Sequence, residues 1–211
     1  MATFSMIPAL VAAALGLARP PPATAPDGLC VEYFAIGSNM ASRVFEGRRG
    51  IKPSAKRPAV ALDHALTFDV PGAGFAEPAF AAISSRTGSE CHGVLYTISP
   101  LDWLRLCASE AVPVAYVPAF LTVECYDGRR VEAVSLQAAP GLPRRRGGTD
   151  EPRPSARYLS LLRDGAAEAG LAPVWLEYLD RLEPAVGSTP APLPAPPPRR
   201  NYEERYGATF V

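Results

Sequence analysis

The alternation of apolar and polar positions sets in at "VEYFAIGSNM". Val31, Tyr33 and Ala35 alternate with Glu32, Phe34 and Ile36, and a period-two run rich in aromatic and β-branched residues predicts a strand ending near Ile36. Gly37 then permits backbone conformations barred to other residues, and Ser38 and Asn39 are good helix caps. A tight turn leading into a short helix through "ASRVFEGR" is therefore expected. Such a turn aims several backbone N–H groups in one direction, which suits an anion such as a carboxylate or phosphate.

Further along, "AVALDHALTFDVPG" (59–72) keeps period two until Pro-Gly closes it, predicting a second strand. "AFAAIS" (79–84) and "ECHGVLYTIS" (90–99) predict two more. The period changes at "SPLDWLRLCASE", where Leu101, Leu104 and Leu106 are read as a helical set with Ser99 or Pro100 at its start. Glu110 then falls at the helix end. "YVPAFLTVECYDGRRVEAVSLQA" reads as two strands joined around Asp127-Gly128, a hairpin signal. Tyr158, Leu161, Leu162 and Ala166 form one stripe of a helix in "PSARYLSLLRDGAAEAGL", and "APVWLEYLDRLE" adds a last helical piece. The order predicts a largely antiparallel β core with a few short helices.

Composition changes this picture at the ends. The 211 residues include 24 prolines, gathered at the two termini and in a middle loop. Residues 1–27 hold the apolar run "FSMIPALVAAALGLA" and a linker-like "RPPPATAP", with no acid before Asp27. The run is shorter than the roughly 20 apolar residues of a membrane helix, so no stable span is expected. A secretory signal, an organellar transit peptide and a peripheral helix interrupted by Pro8 all stay open. The location is accordingly cytoplasmic, or organellar or secreted after removal of this segment. Residues 28–186 make one domain-sized unit, and 187–211 open with a Pro-Ala tract expected to be extended linker rather than packed chain. "PLPAPPPRR" is the one stretch there resembling a Pro-rich ligand motif.

Formal charge is zero, which gives no reason to expect nucleic acid as a partner. The run Arg144-Arg145-Arg146 sits among Gly147, Gly148, Asp150, Glu151 and Pro152 and reads as a solvated loop. Cys30, Cys91, Cys107 and Cys125 form no Cys-x-x-Cys pair and read as buried thiols. His64 and His92 read as satisfied side chains, so no metal site is expected.

Four collinear stretches between Tyr33 and Leu182 resemble the γ-glutamylcyclotransferase family in its broader grouping with AIG2-like proteins. "YFAIGSNM" is similar to the family's Tyr-Phe-Ala-Tyr-Gly-Ser-Asn strand and turn. "CHGVLYTISPLDWLRLCASE" resembles its Gly-Val-x-Tyr strand and the helix ending in glutamate. "YVPAFLTVECYDGRRVEAV" matches its Tyr-led hairpin, and "PSARYLSLLRDGAAEAGL" its Pro-Ser-x-x-Tyr helix. Two positions depart from the pattern: Ile36 stands where the family commonly has Tyr, and Ala111 where Gly often follows the acid.

The resemblance implies a barrel-like core and an intramolecular acyl transfer. The α-amine of a γ-glutamyl amine attacks its own γ-carbonyl to give 5-oxoproline and the free amine. Because an α-amine with a pKa of roughly 8 is mostly protonated at neutral pH, a base is needed, and the resemblance assigns that role to Glu110. It assigns Ile36, Gly37, Ser38, Asn39, Met40 and Tyr158 to the substrate, with Tyr33 and Tyr116 in support. It implies a small-molecule γ-glutamyl substrate and no cofactor, while a homodimer stays open. Glutathione and a γ-glutamyl-ε-lysine amine remain open beside γ-glutamyl amino acids, with Ile36 and the loop Ala138 to Arg153 shaping the leaving-group side. A non-catalytic binding or regulatory module on the same fold, and hydrolysis of a related amide, are the other readings.

Overall fold

A computed structural model describes residues 29–72, 76–142, 153–185 and 194–200. Five strands, β1 (Val31–Ala35), β2 (Ala55–Pro71), β3 (Ala79–Ile98), β4 (Tyr116–Cys125) and β5 (Arg130–Ala138), close a barrel in the order β1-β3-β2-β4-β5. All neighbouring strands run antiparallel except β1 and β5, which meet in parallel at Tyr33 and Val134. Outside the barrel lie a 3-10 turn (Ser38–Met40), a π-helical segment (Arg43–Arg48) and three α-helices: α1 (Pro100–Ser109), α2 (Ala156–Glu168) and α3 (Pro173–Arg181). The largely antiparallel β core expected from the strand pattern, and the barrel-like closure implied by the resemblance, are the observed α+β fold.

The two strands expected at 79–84 and 90–99 are one continuous β3 that pairs β2 at one end and both β1 and β2 at the other. Its extra length is taken up within β3, where Arg86 to Ser89 stand opposite the single residue Asp63 of β2. The ladder skips between Leu62 and His64, where Asp63 has a left-handed φ of 57° and its carboxylate accepts the Gly88 N–H at 2.9 Å. The interruption leaves Gly88 to Glu90 short of partners, and residues 194–200 supply them. Glu90 N–H donates to the Pro197 carbonyl at 3.0 Å, Arg199 N–H to the Gly88 carbonyl at 2.7 Å, and the Arg199 guanidinium pairs with Asp63 at 2.8 Å. This part of the Pro-rich tail is therefore packed chain, contrary to its reading as free linker. Proline lacks an N–H but keeps a carbonyl that can satisfy a sheet. Residues 1–27, the Arg144–Arg146 run and most of the Ala138 to Arg153 loop lie outside the described residues.

Helix α1 corrects another expectation. Leu101 and Leu104 are 56% and 44% exposed, whereas Trp103, Leu106 and Cys107 are buried. Leu101 and Leu106 stand five residues apart, about 140° around a 3.6-residue helix, so no single face holds both. Spacing i, i+3, i+4 selects Trp103, Leu106 and Cys107, and the Trp103 ring meets Tyr33 at 5.9 Å. Ser99 caps the helix by accepting the Asp102 N–H at 3.1 Å, and Pro100 occupies its first turn. The helix stops because Glu110 leaves helical geometry and Ala111 takes a left-handed φ of 52°. That is the conformation a glycine adopts without strain.

An aromatic stack, Tyr33 on Phe45 at 5.9 Å and Phe45 on Tyr96 at 4.2 Å, underlies the turn after β1. The Tyr96 hydroxyl lies 3.2 Å from the Asn39 and Met40 carbonyls. From the other side α2 presses on the turn at Gly165, where an added Cβ would lie 2.5 Å from Ala41 N and 2.7 Å from Met40 C. Of the expected α2 stripe, Tyr158, Leu162 and Ala166 are buried and Leu161 is half-buried; Leu159 and Gly165 complete the buried face. Gly165→Ala is expected to destabilise the fold by about 1–3 kcal/mol through overpacking, since backbone cannot yield as a side chain can. Ala111→Gly, relieving the left-handed strain, is expected to stabilise it by roughly 1 kcal/mol. Chemical denaturation of the two variants checks both signs.

Candidate active site

The turn, the end of α1 and the start of α2 converge on a cavity of about 650 Å³ at one end of the barrel. That is within the range of roughly 300–1,000 Å³ typical of small-molecule pockets. Tyr33, Ile36, Gly37, Ser38, Asn39, Glu110, Tyr116 and Tyr158, singled out from sequence, all line it. Met40 does not. It is fully buried, its backbone lying against Gly165, so its side chain belongs to the packing between the turn and α2. The short helix expected after Gly37 is a 3-10 turn of three residues without a side-chain cap, followed by the π-helical segment. The turn thus contributes cavity wall and positioned side chains rather than a helix terminus.

At the centre stands the Glu110 carboxylate, its side chain 15% exposed. Both of its hydrogen bonds among the described residues go to Oε1: Asn39 Nδ2 at 2.8 Å and Arg49 Nη2 at 2.6 Å. Oε2 takes none among them. The Asn39 amide is itself fixed at both ends, donating also to the Tyr33 hydroxyl at 3.0 Å and accepting from Arg49 Nε at 2.7 Å. Arg49 additionally reaches the Ser109 hydroxyl, one residue before Glu110. Two donors, one from the turn and one from the end of the π-helical segment, therefore hold one carboxylate oxygen in place, a charge-assisted arrangement stronger than neutral hydrogen bonds.

A second group of contacts centres on Ala81 of β3. Its N–H donates to the Tyr158 hydroxyl at 3.2 Å and its carbonyl accepts from the Tyr116 hydroxyl at 2.9 Å. Tyr116, expected to support Glu110, is thus anchored to β3 and makes no hydrogen bond to that carboxylate among the described residues. Ser155 caps α2 by accepting the Tyr158 N–H at 3.0 Å, which fixes where the Tyr158 ring leaves the helix. The ring passes so close to the turn that a Cβ on Gly37 would lie 3.0 Å from the hydroxyl and 3.1 Å from Ala81 Cβ. Glycine is the residue that leaves this space.

Burial raises the Tyr33 phenol above its ordinary value, and the negative charge of Glu110 adds to the shift. Tyr116 is raised by burial and then by Tyr158 and Glu110. Tyr158 is raised by burial against the opposing pull of hydrogen bonds from Ala81 and Ser38. All three remain protonated donors at neutral pH.

Arg49 carries no local sequence signal, since "FEGRRG" has the charged, glycine-containing character of a solvated helix end. Ser135, buried in β5 with its hydroxyl on the Phe34 carbonyl at 2.7 Å, also lines the cavity and carried no sequence signal. His92, fully buried, contacts Tyr126 through Nδ1 at 2.6 Å and Glu90 through Nε2 at 3.2 Å, and His64 Nδ1 lies 2.8 Å from the Leu62 carbonyl. Three cysteines are buried and Cys30 is half-buried. Among the described residues no group of three or more His, Cys, Asp or Glu side chains is placed to hold a metal, and no helix is long and apolar enough to cross a membrane.

Residues 90–182 match the model of the AIG2-like family. The chain is 32% identical over 174 residues to the gamma-glutamyl cyclotransferase gliK of Aspergillus fumigatus, covering 71% of this chain and 61% of that protein. It is 30% identical over 156 residues to the gamma-glutamyl cyclotransferase verK of Clonostachys rogersoniana, covering 62% of this chain and 84% of that one. A solved gamma-glutamyl cyclotransferase superposes with a TM-score of 0.62 at 21% identity, over 77% of this chain and 94% of its own, a likeness of fold. With its barrel, its turn and the glutamate at the end of α1 in the order the resemblance requires, the chain belongs to the γ-glutamylcyclotransferase family.

Proposed function

We propose that the protein converts a γ-glutamyl amine into 5-oxoproline and the free amine, with Glu110 moving the proton. The observation that carries this reading is the Glu110 carboxylate on the cavity wall, held through Oε1 by Asn39 and Arg49 while Oε2 is left without a protein partner among the described residues. Oε2 takes a proton from the substrate's α-ammonium. The freed nitrogen lone pair attacks the γ-carbonyl carbon, closing a five-membered ring, and negative charge grows on the carbonyl oxygen. Glu110 returns that proton to the leaving nitrogen as the bond from that carbon breaks and the oxyanion collapses to the lactam carbonyl; the carboxylate then takes the second proton of the ring nitrogen, leaving 5-oxoproline with a single N–H, and passes it to the amine, which departs as ammonium. Atoms and charges balance with no redox or phosphate step, so the reaction needs no cofactor.

The substrate is its own nucleophile, so most of the work is holding it folded back. Proximity of this kind can lower a barrier by roughly 7 kcal/mol or more in well-oriented cases. The backbone N–H groups of Gly37 and Asn39 and the neutral Tyr158 phenol are the donors for the substrate carboxylate or the developing oxyanion. Ile36 supplies an apolar wall at the position where the resemblance implies a phenol.

The test is 5-oxoproline release from γ-glutamyl-alanine, glutathione and γ-glutamyl-ε-lysine by the full chain and its Glu110→Gln variant. Loss of general acid–base catalysis is expected to slow release by about 10²–10⁴-fold with the fold unchanged. Absence of release from every substrate by the parent protein would instead favour a binding module.

Alkaline stability provides a second check. Because the Tyr33, Tyr116 and Tyr158 pKa values are raised on folding, the native state keeps protons that the unfolded chain releases near its ordinary value of about 10. Their contribution is fully present below that pH and is lost as pH rises beyond it. Urea midpoints measured from pH 8 to 11 should fall above pH 10, and less steeply in Tyr158→Phe.

A further inference from the structure

Besides Glu110, four arginines line the cavity, and three already have carboxylate partners. Arg49 holds Glu110 at 2.6 Å, Arg105 pairs with Asp102 at 2.9 Å, and Arg157 Nε donates to Glu77 at 2.6 Å. The Arg48 side chain, exposed at the C-terminal end of the π-helical segment, has no hydrogen bond or ion pair among the described residues. It is the cavity cation left for a ligand.

We propose that Arg48 is a specificity-determining residue that engages a carboxylate on the leaving amine, so that γ-glutamyl amino acids and peptides are preferred to γ-glutamyl alkylamines. This rests on the cyclotransferase reading, which fixes the direction of the substrate. The γ-glutamyl half has to lie inward, between Glu110, Gly37 and Tyr158, because its amine and carbonyl react there. Glu110 returns a proton to the departing nitrogen, so the leaving group starts at Glu110 and extends towards solvent. Arg49 points inward and is 17% exposed, whereas its neighbour Arg48 stands at the exposed rim that the leaving group must cross. A guanidinium there matches a carboxylate in charge and in planar, two-point geometry. An alkylamine offers it nothing.

The experiment compares γ-glutamyl-alanine with γ-glutamyl-ethylamide, which differ by that carboxylate. Binding is measured by calorimetry on full-length Glu110→Gln with and without Arg48→Gln, and 5-oxoproline release on the parent protein and Arg48→Gln alone. Arg48 is expected to favour γ-glutamyl-alanine about tenfold in affinity, and Arg48→Gln to reduce the ratio of the two kcat/KM values by about the same factor, mainly through KM. Arg48→Lys, keeping charge without the fork, should restore part of the preference, and added salt should weaken it. Equal losses for both substrates, or no preference in the parent protein, overturn the assignment. Arg48-dependent preference in binding without any product release would sink the cyclotransferase reading and leave Arg48 in place. Release without that preference would do the reverse, and neither binding nor release would remove both.

Discussion

Helix α2 meets the turn after β1 backbone to backbone at Gly165, a contact that leaves no room for even a methyl group. The remaining geometry of the cavity follows from it. Seven residues earlier, about two helical turns, α2 carries Tyr158 to the same stretch of chain, and the ring needs the absent side chain of Gly37 to reach Ala81. Two glycines, one on each partner, thus set one distance of approach. The buried Met40 lies between them in sequence and holds the turn on the core side while Asn39 turns towards Glu110.

The electrostatic plan is equally economical. Glu110 stands where α1 ends, and its carboxylate oxygen is shared by an amide and a guanidinium that also grip each other. An isolated, partly buried carboxylate would lose solvation without compensation; here the two donors replace the lost water on one oxygen only. The three phenols around it stay neutral, which makes them donors and keeps further negative charge away from a carboxylate that has to accept a proton.

Much of this was legible in the chain because it depends on local chemistry. Period two marked the strands, Asp127-Gly128 the hairpin, Ser99-Pro100 and the Pro154-Ser155 pair the helix starts, and Gly37-Ser38-Asn39 the turn. The position of Ala111 was noticed only as a departure from glycine, and its left-handed φ gives the physical reason glycine suits that place. What escaped depended on long-range partners. Arg49 looks like any surface arginine until Glu110, 61 residues later, is folded against it. The buried face of α1 is chosen by Trp103 meeting Tyr33, and the docking of residues 194–200 by a ladder interruption at Asp63, neither of which has a local signature.

The barrel closes through the parallel meeting of β1 and β5 at Tyr33 and Val134, a far shorter register than the antiparallel ladders elsewhere. Tyr33 and Ile36 on one side of that seam, and Ser135 and Leu136 on the other, all face the cavity. A molecule seated there spans the junction like a staple across a cut hoop. Its binding free energy is then also free energy of closure, so occupancy should tighten the barrel along the line where it is least knitted together.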